Sequence, residues 1–185
     1  MIGEIIQFLL NILFTLFAAA LILRCWFQYA RVHPYHPLVQ GIAQVTNWLV
    51  HPLRRIIPGF AGIDWASLVG AWITAVVYLV LVSLIAGFNV GAIILPAIGA
   101  GFFMVLKWAL NLLFWIVLIQ AIMSWVSPYA PLMGVLQSLT SPFLAPFRRV
   151  LPTFGGLDFS PLALIILTQI ALMIVTRASF NLFGI

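Results

Sequence analysis

Charged residues are scarce in this sequence. They make up 6% of its 185 positions, and only three of them, Glu4, Asp64 and Asp158, are acidic. So few carboxylates leave no closely spaced pair for general acid–base catalysis, and the sequence has neither a Gly-rich phosphate loop nor a nucleophile elbow. The scattered arginines also do not cluster into the basic stripe typical of nucleic-acid binding. We therefore expect neither an enzyme nor a nucleic-acid-binding protein, and no cofactor.

Hydrophobic residues, by contrast, occupy 65% of the positions, and the mean hydropathy is +1.23. Both values lie far above those of soluble domains. Four apolar stretches have about the 20 residues needed to cross ~30 Å of hydrocarbon; they lie at 5–27, 65–87, 99–126 and 161–183. The sequence therefore predicts an all-α integral membrane protein with four transmembrane helices. Glu4 stands where a secretory signal is basic, so we interpret the first stretch as a retained span.

Residues 88–106 lie before and within the third stretch and are the uncertain part of this assignment. They are apolar, yet they contain Gly91, Pro96, Gly99 and Gly101, which break or kink helices. In the four-helix interpretation this segment is a tight hairpin connector. A fifth, short or half-inserted helix that includes 88–98 is the alternative.

An internal repeat organises the chain. A shift of 94 residues superposes the two halves of the sequence and aligns Pro52 with Pro146, Arg54 and Arg55 with Arg148 and Arg149, Pro58 with Pro152, Gly62 with Gly156, and Asp64 with Asp158. Each unit, 1–90 and 91–185, consists of a span, a long loop and a span. Two spans return the chain to its starting side, so the sequence predicts two parallel, pseudo-symmetric hairpin repeats.

The repeated segments read PLRRIIPGFAGIDWAS at 52–67 and PFRRVLPTFGGLDFSP at 146–161. They resemble the motif of the YggT family, whose members are small bacterial and plastid membrane proteins. The second copy matches in full, through Gly155 and Gly156, whereas the first departs at Ala61, Ala66 and Ser67. The resemblance implies a non-enzymatic role in membrane organisation or complex assembly, with links to osmotic stress, and alternatively a component of potassium-related ion homeostasis.

The long loops are themselves apolar enough to contact the membrane. On a helical wheel, residues 38–57 place polar side chains on one face and aliphatic ones on the other. This pattern predicts an interfacial amphipathic helix in each loop, kinked or divided by Pro52 in the first unit and more strongly by Pro142 and Pro146 in the second. Two roles stay open: a platform that shapes lipid or docks a partner, or a loop that packs on the spans.

The arginines and aspartates of each motif form the predicted site. We expect one arginine of each pair, Arg54 or Arg55 and Arg148 or Arg149, to reach the aspartate of its own repeat, Asp64 or Asp158. Each aspartate should also cap the next helix. Prolines and glycines should shape the turns between them, namely Pro52, Pro58, Gly62, Pro146, Pro152, Gly155 and Gly156. In the competing interpretation the aspartates only cap, and the arginines contact anionic lipid head groups.

Histidine and cysteine add little to this site. His33, His36 and His51 could offer metal ligands, but their counterparts in the second unit are serine or alanine, so we expect interfacial histidines and no metal. Cys25 is the only cysteine, which excludes an intramolecular disulfide. It ends an apolar run and should be a small buried hydrophobe.

Orientation follows from the positive charges, which concentrate in the loops at 28–64 and 127–160. Cytoplasmic loops carry such an excess. We therefore predict a bacterial inner-membrane protein with both loops cytoplasmic and both termini periplasmic. The expected partners are the bilayer, including anionic lipids, and another membrane protein, with a homo-oligomer left open.

Overall fold

A computed structural model describes residues 2–60, 62–150 and 158–184 of the chain. Over this part the protein is helical, and its β structure is limited to a single bridge between Phe60 and Ile63. Six helices follow one another: α1 (Ile2–Tyr29), α2 (Pro37–Ile56), α3 (Trp65–Ile85), α4 (Val90–Val126), α5 (Pro131–Val150) and α6 (Ser160–Phe183).

Four of these helices are long and apolar enough to cross a membrane: α1, α3, nearly all of α4, and α6. The prediction of an all-α membrane protein with four spans is confirmed. In each half a shorter helix, α2 or α5, occupies the loop between two spans. The bounds of α5 are those of α2 shifted by 94 residues, so the two-repeat pattern of the sequence is also a pattern of the fold. The predicted boundary between residues 90 and 91 falls at the start of α4.

The segment 88–106 is neither a hairpin connector nor a separate fifth helix. α4 begins at Val90 and continues through Pro96 to Val126, which leaves only residues 86–89 as the connector. The Asn89 side chain caps the helix by accepting the Gly91 amide at 3.2 Å. Pro96 lies near the start of the helix, where it removes only one intrahelical hydrogen bond, so the helix tolerates it.

The glycines of this segment allow close packing instead of breaking the helix. A Cβ atom on Gly99 would lie 2.6 Å from the ring of Phe183 at the end of α6. On Gly101 it would lie 2.9 Å from Val76 of α3. Small residues at such positions let membrane helices approach one another. Gly99 and Gly101, which were predicted to break or kink a helix, therefore serve helix packing instead.

The loop helices are present, and their internal prolines do not divide them. α2 continues through Pro52, and α5 continues through both Pro142 and Pro146. The predicted division is therefore wrong. These prolines are exposed, and each removes a single amide from the hydrogen-bond ladder, which the rest of the 20-residue helix can sustain. α2 buries Thr46 and Val50 against the spans and leaves both motif arginines exposed in its last turn.

Small residues bring α1, α2 and α3 together in the first unit. Ala18, Ala66, Ala71 and Ala75 are fully buried there, with Val50 of α2 packed among them. A second cluster joins the units, because Phe27 of α1 packs with residues of α4 and α5. The ends of α1 and α2 and the start of α3 therefore meet at one pole of the helix bundle, where the motif lies.

The two units meet directly along α1 and α4. Residues 22–29 of α1 and 106–113 of α4 line a shared cavity of about 370 Å³. Phe27 of α1 lies in one cluster with Ile116 of α4, and Trp26 packs against the cluster that contains Leu113 and Val117.

Candidate functional site

The carboxylate of Asp64 is the centre of the first motif. It is 1% exposed and lies between the end of α2 and the start of α3. Arg54 binds it through two nitrogens, with Nη2 2.5 Å from Oδ2 and Nε 3.4 Å from Oδ1. Such forked contacts are the strongest geometry for an arginine and a carboxylate. The first arginine of the pair is thus the one that reaches Asp64.

Asp64 also opens α3 as its N-cap. Its Oδ1 accepts the Ser67 amide at 3.4 Å, and its Oδ2 accepts the Ser67 hydroxyl at 2.7 Å. A negative charge at this end of a helix is stabilised by the helix dipole. The two predicted roles of the aspartate, ion pairing and capping, therefore occur together at Asp64.

Arg24 of α1 completes this network, which we call the first charge cluster: Arg24, Arg54, Asp64 and Ser67. Its Nε lies 3.5 Å from Asp64 Oδ2. Its Nη1 donates to Thr46 Oγ1 at 2.8 Å and to Asn47 Oδ1 at 2.9 Å, both on α2. One guanidinium therefore connects three helices.

Arg24 is not among the residues predicted for this site from the sequence. A signal was available, because a charge within an apolar span needs a partner. The only acids in the first half of the chain are Glu4, at the far end of α1, and Asp64.

The electrostatics of Asp64 follow from these contacts. Burial alone would raise the pKa of this carboxyl, but the hydrogen bonds from Arg54 and Ser67 and the Arg54 charge outweigh it, so the pKa lies below its ordinary value. Asp64 is therefore ionised at neutral pH. The buried carboxylate can hold the helices together only in this charged form.

The second motif repeats the ion pair in a more open setting. Arg148 Nε lies 2.9 Å from Asp158 Oδ2, and the aspartate is 34% exposed. Here too the first arginine of the pair makes the contact. We call Arg148, Asp158 and Ser160 the second charge cluster. A cavity of about 200 Å³ lies against it, lined also by Gln120 and Ser124 of α4.

Asp158 differs from Asp64 in how it meets the next helix. α6 begins at Ser160 with Phe159 as its N-cap, so Asp158 lies one residue outside the predicted capping position. Its Oδ1 nevertheless accepts the Ser160 amide at 2.9 Å. Partial burial would raise the pKa of Asp158, but hydrogen bonds from Ser160 and the pairing with Arg148 lower it below its ordinary value.

The remaining motif residues have simpler surroundings. Arg55 and Arg149 are exposed and have no carboxylate partner in the described part of the chain. Gly62 has a φ of 79°, in the left-handed region that favours glycine, and lies in a turn closed by the 3.1 Å bond from Ile63 N–H to the Phe60 carbonyl. Pro58 is exposed just after α2. The predicted turn residues Pro152, Gly155 and Gly156 lie outside the described residues.

Each unit also holds its loop helix through a buried threonine. Thr46 of α2 contacts Arg24, as described above. Its repeat counterpart, Thr140 of α5, bonds to the side chain of Gln120 on α4. The indole of Trp26 donates to the Leu139 carbonyl at 3.2 Å, which connects α1 to α5 across the units. The loop helices are therefore bound to the spans at two levels, by charge at one end and by threonine in the middle.

Metal binding has no group of ligands to support it in residues 2–60, 62–150 and 158–184, where no three His, Cys, Asp or Glu side chains come together. His36 instead caps α2, since its Nδ1 accepts the Leu38 amide at 3.3 Å. The arrangement as described can fix helices and bind charged groups.

Comparison with known proteins gives a consistent identification. The CCB3/YggT family model matches residues 3–85 and 99–179, one match for each repeat. A Vibrio alginolyticus protein named for the proC 3′ region is 41% identical over 89% of this chain and 90% of its own length. The protein YggT of Escherichia coli K12 is 40% identical over 89% of this chain and 86% of its own.

A Pseudomonas aeruginosa protein is 38% identical over 84% of this chain and 80% of its own length. No solved structure matches the chain. The two matched segments coincide with the two helical units, and the relatives cover nearly the whole chain. The resemblance noted from the repeated motif is thereby confirmed: this chain belongs to the CCB3/YggT family.

Proposed function

We propose that this protein is a non-enzymatic component of the bacterial inner membrane that organises the membrane or assists the assembly of membrane complexes. The observation that carries the proposal is the attachment of α2 and α5. Each is an amphipathic helix of 20 residues, and each is joined to the start of the next span by an arginine–aspartate pair. Two fixed amphipathic helices make a surface suited to lipid or protein partners.

The attachment leaves part of each loop helix uncovered. In α2, Val45 and Trp48 are exposed although they are apolar, and Trp48 is also stacked on Phe17 of α1. Val45 and Trp48 border an apolar groove of about 370 Å³ between α1, α2 and α3. Apolar side chains held in this way favour contact with acyl chains or with a membrane helix of a partner. Support for the organising role therefore comes from a loop helix that is attached to the spans and yet leaves apolar side chains exposed.

The orientation is part of the proposal. The exposed arginines Arg31, Arg54, Arg55, Arg148 and Arg149 all lie at or near the ends of the spans where the two motifs lie. An excess of positive charge next to spans favours the cytoplasmic side. We therefore place α2 and α5 in the cytoplasmic leaflet and both termini in the periplasm.

An ion-conducting role is the competing function, and the polar groups in the spans give it little support. The hydroxyls of Thr74 and Thr168 each donate at 2.7 Å to carbonyls of their own helices, those of Gly70 and Leu164. The amide of Asn11 accepts from Tyr78 at 3.3 Å. The two threonine hydroxyls are satisfied within their own helices, and the Tyr78–Asn11 bond joins α3 to α1, so these groups do not need an ion or water as a partner.

The test pairs a flux measurement with a crosslinking measurement. Purified protein in liposomes is assayed for potassium flux, and a photoreactive amino acid replaces Val45 in cells. Position 40 of α2, where the exposed Gln40 lies on the polar face of the helix, is the matched control. We expect no flux above that of empty liposomes. We also expect a reproducible crosslinked complex with an identified membrane protein from position 45 and none from position 40.

Selective flux from the purified protein would overturn the proposal in favour of a channel. Equal crosslinking from both positions would contradict a specific docking face. The link to osmotic stress belongs to the same proposal, and it is tested by growth at high osmolarity of cells that carry the Val45→Glu variant in place of the normal protein. We expect slower growth with Val45→Glu and normal growth with Gln40→Glu.

A further inference from the structure

A cavity of about 520 Å³ lies between the end of α1 and α2. Three arginines line it: Arg24, Arg31 and Arg54. The amide side chain of Gln28 also faces it, and apolar side chains of α1, α2 and the segment between them form the rest of its wall. Guanidinium groups that converge on one cavity repel each other unless an anion lies among them.

Within its described part, the protein provides one carboxylate for these three arginines. Asp64 is shared by Arg24 and Arg54, and Arg31 has no carboxylate partner among the described residues. The contacts of Arg24 and Arg54 with Asp64, Thr46 and Asn47 use their Nε atoms and one terminal nitrogen of each. The remaining terminal nitrogen of Arg24, that of Arg54, and the whole guanidinium group of Arg31 have no acceptor in the described part of the chain. The cavity therefore holds surplus positive charge and unused donors.

The backbone at Arg31 turns the chain back after α1. Its φ of 53° lies in the left-handed region. The Val32 amide bonds back to the Phe27 carbonyl at 3.0 Å and the Arg31 amide to the Gln28 carbonyl at 3.2 Å, which is a common way for a helix to end. This chain reversal brings Arg31 to the same cavity as Arg24.

The depth of the cavity indicates the kind of anion. α1 is a candidate span that ends at Tyr29, and Arg24 lies in its last turns. This is the level at which a span leaves the hydrocarbon and meets lipid phosphates. Basic pockets between membrane helices at this level bind anionic lipid head groups, and the planar guanidinium fork matches the oxygens of a phosphate group.

We propose that this cavity binds the phosphate group of an anionic phospholipid, with Arg31 as the principal ligand and the free nitrogens of Arg24 and Arg54 as additional donors. The site belongs to the first unit alone. The repeat counterparts of Arg24 and Arg31 are Leu118 and Trp125, which cannot bind an anion in this way. The proposal is independent of the organising role, because a channel could hold the same lipid.

The test uses the full-length protein, delipidated in detergent and then supplied with phosphatidylglycerol or phosphatidylcholine. Native mass spectrometry counts the bound lipids. The variant is Arg31→Gln, and the matched control is Arg55→Gln, which removes the same charge from an exposed arginine at the same pole but outside the cavity. Thermal unfolding without lipid verifies that both variants fold.

We expect the normal protein to retain phosphatidylglycerol in preference to phosphatidylcholine. Arg31→Gln should weaken this binding about fivefold, the effect of one basic residue at an anionic surface, whereas Arg55→Gln should leave it nearly unchanged. Arg31→Lys should recover only part of the loss, because it restores the charge without the fork. Equal losses in Arg31→Gln and Arg55→Gln, or no loss in either, would overturn the proposal.

A separate measurement distinguishes a lipid from a free anion. Inorganic phosphate is added at constant ionic strength to two samples: the delipidated protein, whose melting temperature is recorded, and the protein loaded with phosphatidylglycerol, whose bound lipid is counted by mass spectrometry. If phosphate displaces bound phosphatidylglycerol from the normal protein, the phosphate site is supported. If phosphate stabilises the normal protein but not Arg31→Gln while phosphatidylglycerol does not bind, the lipid assignment is wrong and a soluble phosphate occupies the site.

Discussion

The two motifs have nearly the same sequence, but they place their aspartates in different environments. Asp64 is 1% exposed and lies near two arginines, whereas Asp158 is 34% exposed and pairs with one. The difference originates outside the motif. Arg24 extends from α1 to Asp64, and its counterpart in α4 is Leu118. The repeated motif therefore pairs the same residues in both units, while the neighbouring span supplies a second arginine to the aspartate of the first unit only.

This difference sets what each pair contributes. A buried carboxylate that loses its partners, or a buried arginine that loses its carboxylate, is left as an uncompensated charge. An exposed pair is weakened by water and salt. We therefore expect the first charge cluster to be essential for the stability of its unit and the second to be a modest contribution.

Substitution of Asp64 by asparagine should have the largest effect. It removes the shared negative charge and leaves Arg24 buried without a carboxylate, which should cost about 3–5 kcal/mol. The matched change, Asp158→Asn, should cost about 1 kcal/mol or less because its pair is partly exposed. Thermal unfolding in detergent measures both. Similar losses in the two variants would show that burial does not separate the motifs.

Arg24→Leu should come next, because it gives the first unit the residue found in the second. The variant loses the hydrogen bonds to Thr46 and Asn47 but leaves Arg54 on Asp64, so we expect a loss of about 1.5–3 kcal/mol. Arg177→Leu is the control, since Arg177 is exposed in α6 and has no ion pair among the described residues. A loss in Arg24→Leu no greater than in this control would contradict the role assigned to Arg24.

The pH dependence of stability should also differ between the units. Because the folded-state pKa of each aspartate is lowered, each contributes stability that is present above the unfolded pKa of about 3.9. This stability is lost as the pH falls through the lower folded-state pKa. Melting temperatures are recorded from neutral pH downward. The fall of the melting temperature with acid should be reduced more by Asp64→Asn than by Asp158→Asn. A larger change in Asp158→Asn would reverse the comparison.

The smallest effect concerns the choice of arginine in the second motif. Asp158→Arg combined with Arg148→Asp should recover about 0.2–1 kcal/mol relative to the sum of the single losses, the range for an exposed pair. The same exchange with Arg149 should be additive, because Arg149 has no contact with Asp158 in the structure. Recovery with Arg149 and not with Arg148 would show that the assigned pairing is wrong.

Much of this architecture could be predicted from the sequence. Four apolar stretches and a 94-residue repeat were sufficient to predict four spans and two loop helices. The spans could be predicted because they depend on length and hydropathy more than on detailed packing. The arginine–aspartate spacing predicted which residues would approach each other. It left the choice within each pair open, since both arginines lie in the last turn of the same helix and their directions differ by about 100°.

Other features depend on contacts that one sequence does not display. Gly99 and Gly101 have the pattern of helix breakers, and only the neighbouring Phe183 and Val76 reveal why small residues are needed there. The part of Arg24 in the cluster depends on the crossing of α1 and α2.

The length of α4 has a consequence for the surrounding bilayer. Its 37 residues extend about 55 Å, whereas membrane helices tilt by at most about 40° and the whole bilayer is about 40–45 Å thick. Even at that tilt α4 reaches from one headgroup layer to the other. α3, with 21 residues, extends only about 32 Å, little more than the ~30 Å of hydrocarbon. Lipids around the protein therefore meet spans of unequal length, and either the bilayer adjusts its thickness beside them or α4 carries its ends into the headgroup layers.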